Sequence, residues 1–586
     1  MLKRGILHSF SGRRYLSMLF VSSFSMVAEI LVMLICKVVA GNQIGETALA
    51  AVTMVTPLFS FVLFVGACIA CGTTICYTTA VGELKPEEAA KHFGQGVLLA
   101  LFSGVVLFGF FALARDAILE FLGVPPELVM EVLPFYKWFL GVVLVLPVGY
   151  FLAELVYADG DEVLTFWSYG ILIAAEMALS LYFVDSMGIA GLGLALFVAC
   201  ILFLGVLLLH FFKKSNSLHF KLHVNVKDIA SVFRFSVAKS SAYLCFSIFA
   251  FLLTRFFLRS CDPDSMPVLA MIFEVVELGS VFGGIWLAAE PLVSVYRGER
   301  NLIGVRRVMK YVNESILVEG VLMTVFLIVW APFLADLFHI HSASILPEAI
   351  WAVRVASIGC LVNAFLRVYA PFYQHHNPLF SMFIVLMRDL LMPILCCVIL
   401  GSLYGPYGIW VGLAVAPFIS FAICVVAFLA VYGKKYFPLL LRRGKDMWKA
   451  ESCEVTPQNI VALRDHMGDY LRKKNVEHSI CNKVMLLVEE LGMHIYDVNR
   501  NRKVYTEFSV RIFQEKVICV MKDNGVLQDM TDLEMVVSDL RAYFVTALMA
   551  YQREKLYMLT MSYNRHVFRF DRDLGRKRLC NVSKCD

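Results

Sequence analysis

Seven acidic residues lie inside long apolar runs of this sequence, where a carboxylate is costly. An ionisable side chain within a bilayer is unfavourable unless it faces a cavity or a partner, so such residues are candidates for handling ions or substrate. Two of them, Glu274 and Glu277, are three residues apart, which puts both carboxylates on one face of a helix. Two neighbouring carboxylates share a proton readily, because like charges repel when both are ionised. The pair is therefore the first candidate for proton exchange, and the full set is Glu29, Glu154, Glu176, Glu274, Glu277, Glu290 and Asp389.

Each of these acids has a structural alternative, in which it forms an ion pair that locks two helices together. The basic residues within the apolar runs that could be partners are Arg255, Arg354, Arg367 and Arg388. Both interpretations stay open for any single acid, and for Glu274 with Glu277 we favour the functional one. We interpret the adjacent Arg388 and Asp389 as a local ion pair. Glu290 is expected near the inner mouth of the membrane region.

These acids must be positioned by helices that cross a membrane. Hydrophobic residues make up 59% of the 586-residue chain and charged residues 17%, which excludes an ordinary water-soluble fold. Crossing a bilayer takes roughly 20 apolar residues, and the runs are too long for barrel strands. The predicted fold is a polytopic all-α membrane protein, followed by a small α+β domain. The twelve predicted spans are 15–40, 49–81, 97–114, 132–156, 163–184, 189–212, 235–258, 268–295, 316–337, 350–372, 380–403 and 409–432.

Lysine and arginine predict the orientation, because they are enriched in the cytoplasmic loops of membrane proteins. They cluster at the start of the chain, after the sixth and eighth spans and after the last. With an even number of spans, both termini are therefore expected to be cytoplasmic in a multi-pass protein of the inner membrane. The first apolar run is too long for a cleavable signal peptide. The basic residues concerned are Lys3, Arg4, Arg13, Arg14, Lys213, Lys214, Lys221, Lys227, Arg297, Arg300, Arg306, Arg307, Lys310, Lys434, Lys435, Arg442, Arg443 and Lys445.

An internal repeat divides the membrane region into two halves. Gly82-Glu83-Leu84 is echoed by Gly298-Glu299-Arg300, and Gly188-Ile189-Ala190-Gly191 by Gly405-Pro406-Tyr407-Gly408. The offset of about 217 residues predicts two six-helix halves, an arrangement that transporters use to build a site between the halves. The predicted domains are the first half at 1–218, the second half at 219–436, a linker at 437–455 and a cytoplasmic domain at 456–586.

Several short motifs follow one another in a set order over about the first 435 residues. They are Gly41-Asn42-Gln43-Ile44-Gly45-Glu46, Ala48-Leu49-Ala50-Ala51-Val52, Pro57, Gly72 to Gly82 with Ala89, Glu290-Pro291-Leu292 with Gly298, and Tyr407-Gly408-Ile409-Trp410. Together they resemble the multidrug and toxin extrusion (MATE) transporters. The resemblance implies an antiporter, not an enzyme, that is driven by H⁺ or Na⁺. It would export organic cations, drugs or other amphipathic compounds by rocking its halves around a central cavity.

The chain departs from that family at the positions where coupling residues are usual. An acid commonly lies five positions before the glycine that ends the first helix, and here Cys36 stands there, followed by Lys37. The family's Asn…Asp pair in the fifth helix corresponds to Glu176 and Ser180. The coupling residues therefore do not carry over directly. Two alternatives stay open, namely a lipid or oligosaccharide flippase of the same superfamily and a membrane sensor with a transporter-like domain.

The remaining sequence, after residue 449, has mixed charge and the patterns of a small folded domain. Thr456 and Pro457 predict a helix start, and the helix is expected to run to about residue 474. A longer helix is predicted over 477–497, with strands over 508–512 and 517–521. A helix over 532–551 and a final hairpin follow. That hairpin pairs 556–563 with 566–570 and turns at Asn564-Arg565.

This order of elements, with Glu489-Glu490-Leu491 and Asp523-Asn524-Gly525, resembles the histidine-kinase-type ATPases and especially the anti-sigma-factor kinases. The resemblance implies that Glu490 is a catalytic base, with His494 in place of the magnesium-binding Asn. Asp523 and Gly525 would recognise adenine. The glycine-rich lid is missing, since no glycine lies between Gly525 and Gly575. We therefore expect a regulatory domain that does not hydrolyse ATP and binds it weakly at most.

The expected partners follow from these interpretations. They are the lipid bilayer, a small organic substrate that is cationic or amphipathic, and a cytoplasmic regulatory protein at the tail. Nucleic acid is not expected. No resident cofactor or metal is expected either, only the coupling ion.

Overall fold

The computed structural model describes most of the chain. The described residues are 9–122, 124, 126–260, 266–337, 340, 345–374, 376–434, 437–439, 448–528, 555–557 and 563–572. The helix predicted over 532–551 lies outside them. Long helices form the membrane region, and the described part of the tail consists of a five-stranded sheet and two helices.

The membrane region consists of sixteen helices among the described residues, because several of the predicted spans are broken into two. Their bounds are α1 Phe10–Val39, α2 Glu46–Gly82, α3 Pro86–Leu113, α4 Arg115–Phe121, α5 Pro126–Ala158, α6 Glu162–Met187, α7 Ile189–Leu208, α8 Val226–Ser260, α9 Met266–Leu278, α10 Gly283–Gly298, α11 Leu302–Leu337, α12 Leu346–Ser357, α13 Cys360–Gln374, α14 Pro378–Leu386, α15 Met392–Tyr404 and α16 Pro406–Tyr432.

Eleven helical stretches of the described chain are long and apolar enough to cross a membrane, or twelve if α12 and α13, bent by 47°, count as one span. This confirms the predicted multi-pass α-helical class. A 3₁₀ turn at Gly279–Phe282 separates α9 from α10, and a π turn at Met387–Leu391 separates α14 from α15. Such irregular turns interrupt the regular hydrogen bonding of a helix and let the span change direction.

The two halves, α1–α7 and α8–α16, pack against each other along a few helices. Helix α1 contacts α10, and α2 contacts both α8 and α10. Glycines allow this close approach. A Cβ on Gly82 would lie 2.9 Å from the Cα of Gly298, and one on Gly284 would lie 2.9 Å from the backbone N of Ser23. Small residues at helix crossings let backbones meet in membrane proteins.

The tail begins with β1 Trp448–Glu454, followed by α17 Pro457–Lys473, α18 His478–Val498, β2 Tyr505–Ile512, β3 Lys516–Asp523, β4 Lys555–Tyr557 and β5 Asn564–Asp571. The strand order is β1-β2-β3-β5-β4, and all neighbouring strands are antiparallel. Thr456 caps α17 as predicted, since its side chain accepts a hydrogen bond from the N–H of Asn459.

Two features of the tail differ from the prediction. The predicted linker at 437–455 contains β1, which pairs with β2 along its whole length. Asn564 and Arg565 belong to β5, where they pair with Asp523 and Lys522, so they do not form the hairpin turn. Polar residues such as Asn are common in turns. A local pattern of polar residues therefore does not distinguish a turn from a strand whose side chains must be polar.

One face of the sheet packs on the tail's own helices. Alternate residues of the strands, such as Phe508, Met521 and Phe568, join Val484 and Leu491 of α18 in a buried core. The other face meets the ends of the membrane helices, where Glu507, Lys522 and Arg565 are each 1% exposed. We call the helix ends that contact this sheet the tail side, and the opposite ends the far side.

Candidate functional site

The predicted acidic pair lies where the two halves face each other. Glu274 Oε1 of α9 lies 3.7 Å from Nζ of Lys37 in the last turn of α1, so this ion pair joins the second half to the first. The side chains are 22% exposed for Lys37 and 31% for Glu274. An ion pair that keeps this much exposure borders open space.

Glu277 shares that space with Glu274. Its electrostatic neighbours are Glu274, Lys37 and Arg367, and its side chain is exposed. Arg367 also lies 3.9 Å from Asp389, which forms the predicted local pair with Arg388. The site therefore combines carboxylates of the second half with Lys37 of the first half and Arg367 of the second, and both Glu274 and Asp389 have a cation beside them.

Lys37 is the partner that the sequence-based prediction missed. Only arginines were predicted as partners for the acids. A lysine inside an apolar run is as unfavourable as an acid there, so Lys37 could have been identified as a candidate partner on that ground. Lys37 and Glu274 are 237 positions apart in the sequence and lie on helices of different halves. No local sequence pattern predicts such a contact.

Glu176 lies in a different place, inside the first half. It is fully buried on α6, and the thiol of Cys36 on α1 donates a hydrogen bond to its Oε1 over 3.1 Å. Within the described residues, Glu176 Oε2 and the hydroxyl of Ser180 have no hydrogen-bond partner. Cys36 and Glu176, at which the sequence departs from the MATE pattern it resembles, are thus in direct contact. The acid of this pair, Glu176, lies on α6, whereas the MATE pattern has an acid at the position of Cys36 on α1.

Glu29 and Glu154 belong to the same half as Glu176. Glu29 lines a cavity of about 20 Å³ with Tyr150, Tyr169 and Cys200, which is room for about one water molecule. Glu154, one turn after Tyr150 on α5, is 6% exposed. These two acids are electrostatic neighbours of both tyrosines. The first half therefore holds a second group of acids, separate from the pair at the interface.

In the tail, Asp523 and Gly525 lie together at the end of β3. Asp523 Oδ1 accepts hydrogen bonds from the N–H of Gly525 at 3.0 Å and from the side-chain amide of Asn564 at 2.9 Å. Burial raises the pKa of Asp523 to about 6, against the lowering effect of the Asn564 hydrogen bond. The amide of Asn499 fills the space beside Gly525, since a Cβ there would meet it at 2.6 Å.

The two other predicted nucleotide residues lie one turn apart on α18. His494 is buried, and its Nε2 lies 2.9 Å from the side-chain oxygen of Gln528. Gln528 in turn donates its N–H to Asn564. Glu490 is half-buried. The structure thus brings His494, Asp523 and Gly525 into one network of hydrogen bonds that runs through Gln528 and Asn564.

Comparisons with known proteins agree with this architecture. The family model MatE matches residues 22–162, and a search of curated proteins finds no match. A crystal structure of MATE in complex with MaD3S is 19% identical, with a TM-score of 0.64, and covers 72% of this chain and 98% of its own. A multidrug resistance MATE family transporter in an outward-facing conformation is 18% identical, with a TM-score of 0.64, and the shares covered are 72% and 96%.

A third structure, of a MOP superfamily transporter from Pyrococcus furiosus, is 18% identical with a TM-score of 0.63 and covers 72% of this chain and 97% of its own. At these identities the likeness establishes the fold. The chain is therefore a multi-pass membrane protein whose membrane region has the fold of the MATE transporters.

Proposed function

We propose that this protein is a cation-coupled secondary transporter that exports small organic cations or amphipathic compounds. The observation that supports the proposal best is the ion pair of Lys37 with Glu274, which joins the two halves while Glu277 lies beside it. Transporters of two halves work by moving one half against the other around a central site. A bond that joins the two halves must therefore break in each cycle.

Protonation gives a way to break it. A proton taken up by Glu274 neutralises the carboxylate that holds Lys37. The Coulomb attraction of two charges at this distance is on the order of 1 kcal/mol in water and 4 kcal/mol near a protein surface. Two conformations of a protein commonly differ by a few kcal/mol, so one proton is enough to shift the balance between them.

The same geometry accommodates a cationic substrate. The ammonium group of an organic cation can replace Lys37 beside Glu274, and the proton or sodium ion that leaves the acids is exchanged for it. Sodium coupling uses the same carboxylates, because both ions compete for negative oxygen atoms. The tail takes part as a regulatory domain that does not hydrolyse ATP.

The test is transport into proteoliposomes with an imposed H⁺ or Na⁺ gradient. The double variant Glu274→Gln/Glu277→Gln should insert normally and lose gradient-driven transport, because amides keep the volume of the side chains and cannot release a proton. Glu131→Gln, at an exposed position of α5, is the matched control and should retain activity. Full activity in the double variant would rule out this pair as the coupling site.

A membrane sensor is the second candidate. It is favoured by Cys36 at the position where the family usually has an acid, and by the close docking of a tail that transport itself does not require. A sensor would bind a ligand in the membrane region and change the tail without net movement of solute. Absence of flux for every tested cation, with ligand-dependent changes in the tail, would favour the sensor over the transporter.

A further inference from the structure

The tail sheet binds both halves of the membrane region at once. We call its membrane-facing residues, Ser452, Tyr505, Glu507, Lys522 and Arg565, the docking face. Ser452 accepts a hydrogen bond from the N–H of Phe10 at the start of α1 over 2.8 Å, and the guanidinium of Arg13 lies 3.9 Å from the ring of Tyr505. These contacts attach the sheet to the first half.

Arg565 is the residue that reaches both halves. Its guanidinium donates to the carbonyl oxygens of Val81 at 2.7 Å and Gly82 at 2.9 Å, which end α2 in the first half. The same group lies 3.1 Å from Oε1 of Glu299, directly after α10 in the second half. A cation suits both contacts, because the last carbonyls of helix α2 carry partial negative charge and Glu299 is a carboxylate. Arg565 is 1% exposed, so water does not replace either contact.

Further buried ion pairs attach the sheet to the second half. Lys522 Nζ lies 2.7 Å from Glu299 Oε1, and Glu507 accepts hydrogen bonds from Arg307 at 2.6 Å and from the hydroxyl of Tyr296 at 2.9 Å. The Glu299 side chain is 4% exposed. Removing one partner of a buried pair costs about 3–5 kcal/mol, because the remaining charge stays buried without compensation.

The helix ends that Arg565 binds are also in direct contact with each other. Gly82 and Gly298 are so close that a Cβ on either would meet the Cα of the other within 3 Å, at 2.9 Å and 2.7 Å. Arg565 binds Gly82 in the first half and Glu299, the residue after Gly298, in the second half. One guanidinium can bind both only while these helix ends stay together, so opening the tail side requires the docking face to release one half.

We propose that the tail is a clamp that holds the tail-side ends of the two halves together, so that this side opens only after the docking face releases one of them. The proposal rests on the proposed function only in assuming that the halves move. The clamp itself is a property of the fold, and it can be measured without a substrate or an ion gradient.

The test is hydrogen–deuterium exchange of the full chain in lipid nanodiscs, followed at residues 79–85 and 295–301. Arg565→Ala removes the bridge to both halves, and Glu299→Gln weakens the attachment to the second half from the membrane side, with the tail sequence intact. Arg464→Ala is the matched control, since Arg464 pairs with Glu489 inside the tail. We expect exchange in both segments to rise about tenfold or more in Arg565→Ala and to rise less in Glu299→Gln, with no change in the control.

Two outcomes would overturn the clamp. Unchanged exchange at both helix ends in Arg565→Ala and Glu299→Gln would show that the halves hold together without the tail. Faster exchange confined to the tail itself would show that the substitution only disturbs the sheet. If exchange rises as expected while the unsubstituted protein transports nothing in proteoliposomes, the clamp stands and the transport proposal fails.

Discussion

At the scale of single residues, the two groups of acids differ in what surrounds them. Glu274 faces Lys37 at the interface and is partly exposed, whereas Glu176 is fully buried and contacts a thiol. Glu274 belongs to an ion pair between the halves, whereas Glu176 is enclosed within the first half with the Cys36 thiol as its hydrogen-bond donor. We therefore propose Glu274 for the bond that breaks and forms again in each cycle, and Glu176 for a separate role within the first half.

This difference predicts the effect of Glu176→Gln. The variant keeps an acceptor for the Cys36 thiol and removes the titratable proton, so we expect proton-driven transport to fall about tenfold while the gradient dependence set by Glu274 and Glu277 remains. Ser180→Ala is the control, because Ser180 lies one turn away on the same helix face and does not titrate. Equal losses in both variants would indicate that the shape of the site matters there, and not its proton.

At the scale of helices and strands, the sequence predicts what local physics determines. Helices long enough to cross a bilayer must be apolar along their whole length, so their number and approximate bounds follow from the apolar runs. Likewise, the alternation of Phe508, Val510 and Ile512 predicts a strand with one buried face. The burial of the opposite face does not follow. Glu507 and Arg565 are polar because they meet charges elsewhere in the chain, and that meeting is visible only in the fold.

The docking of the sheet predicts a charge-exchange result. Arg307→Glu alone places two carboxylates in a buried site, and Glu507→Arg alone places two cations there, so each should lower the thermal stability of the full chain. The double variant Arg307→Glu/Glu507→Arg restores opposite charges and should recover most of the loss, which is on the order of 3–5 kcal/mol. Purely additive losses in the double variant would show that the two residues do not interact.

At the scale of the whole molecule, the two ends of the interface are held by different means. The tail side is closed by glycine contacts and by buried ion pairs of the docking face. The far side is joined by the partly exposed pair of Lys37 and Glu274. A proton reaches an exposed pair far more easily than a buried one. The proposed cycle therefore assigns ion coupling to the interface between the halves, and regulation to the tail.

This division of roles predicts that the tail regulates without hydrolysing ATP. In the histidine-kinase-type ATPases that the tail sequence resembles, turnover needs a base, a magnesium ligand and a closing lid. The resemblance offers Glu490 as the base and gives no lid. His494 is bound to Gln528, and Asp523 already accepts hydrogen bonds from its own chain. Adenine would have to displace these contacts. The purified full chain in detergent should therefore show no ATP turnover and at most weak ATP binding that magnesium does not change. A robust ATPase rate that disappears in Glu490→Gln would contradict this and would make the tail an enzyme.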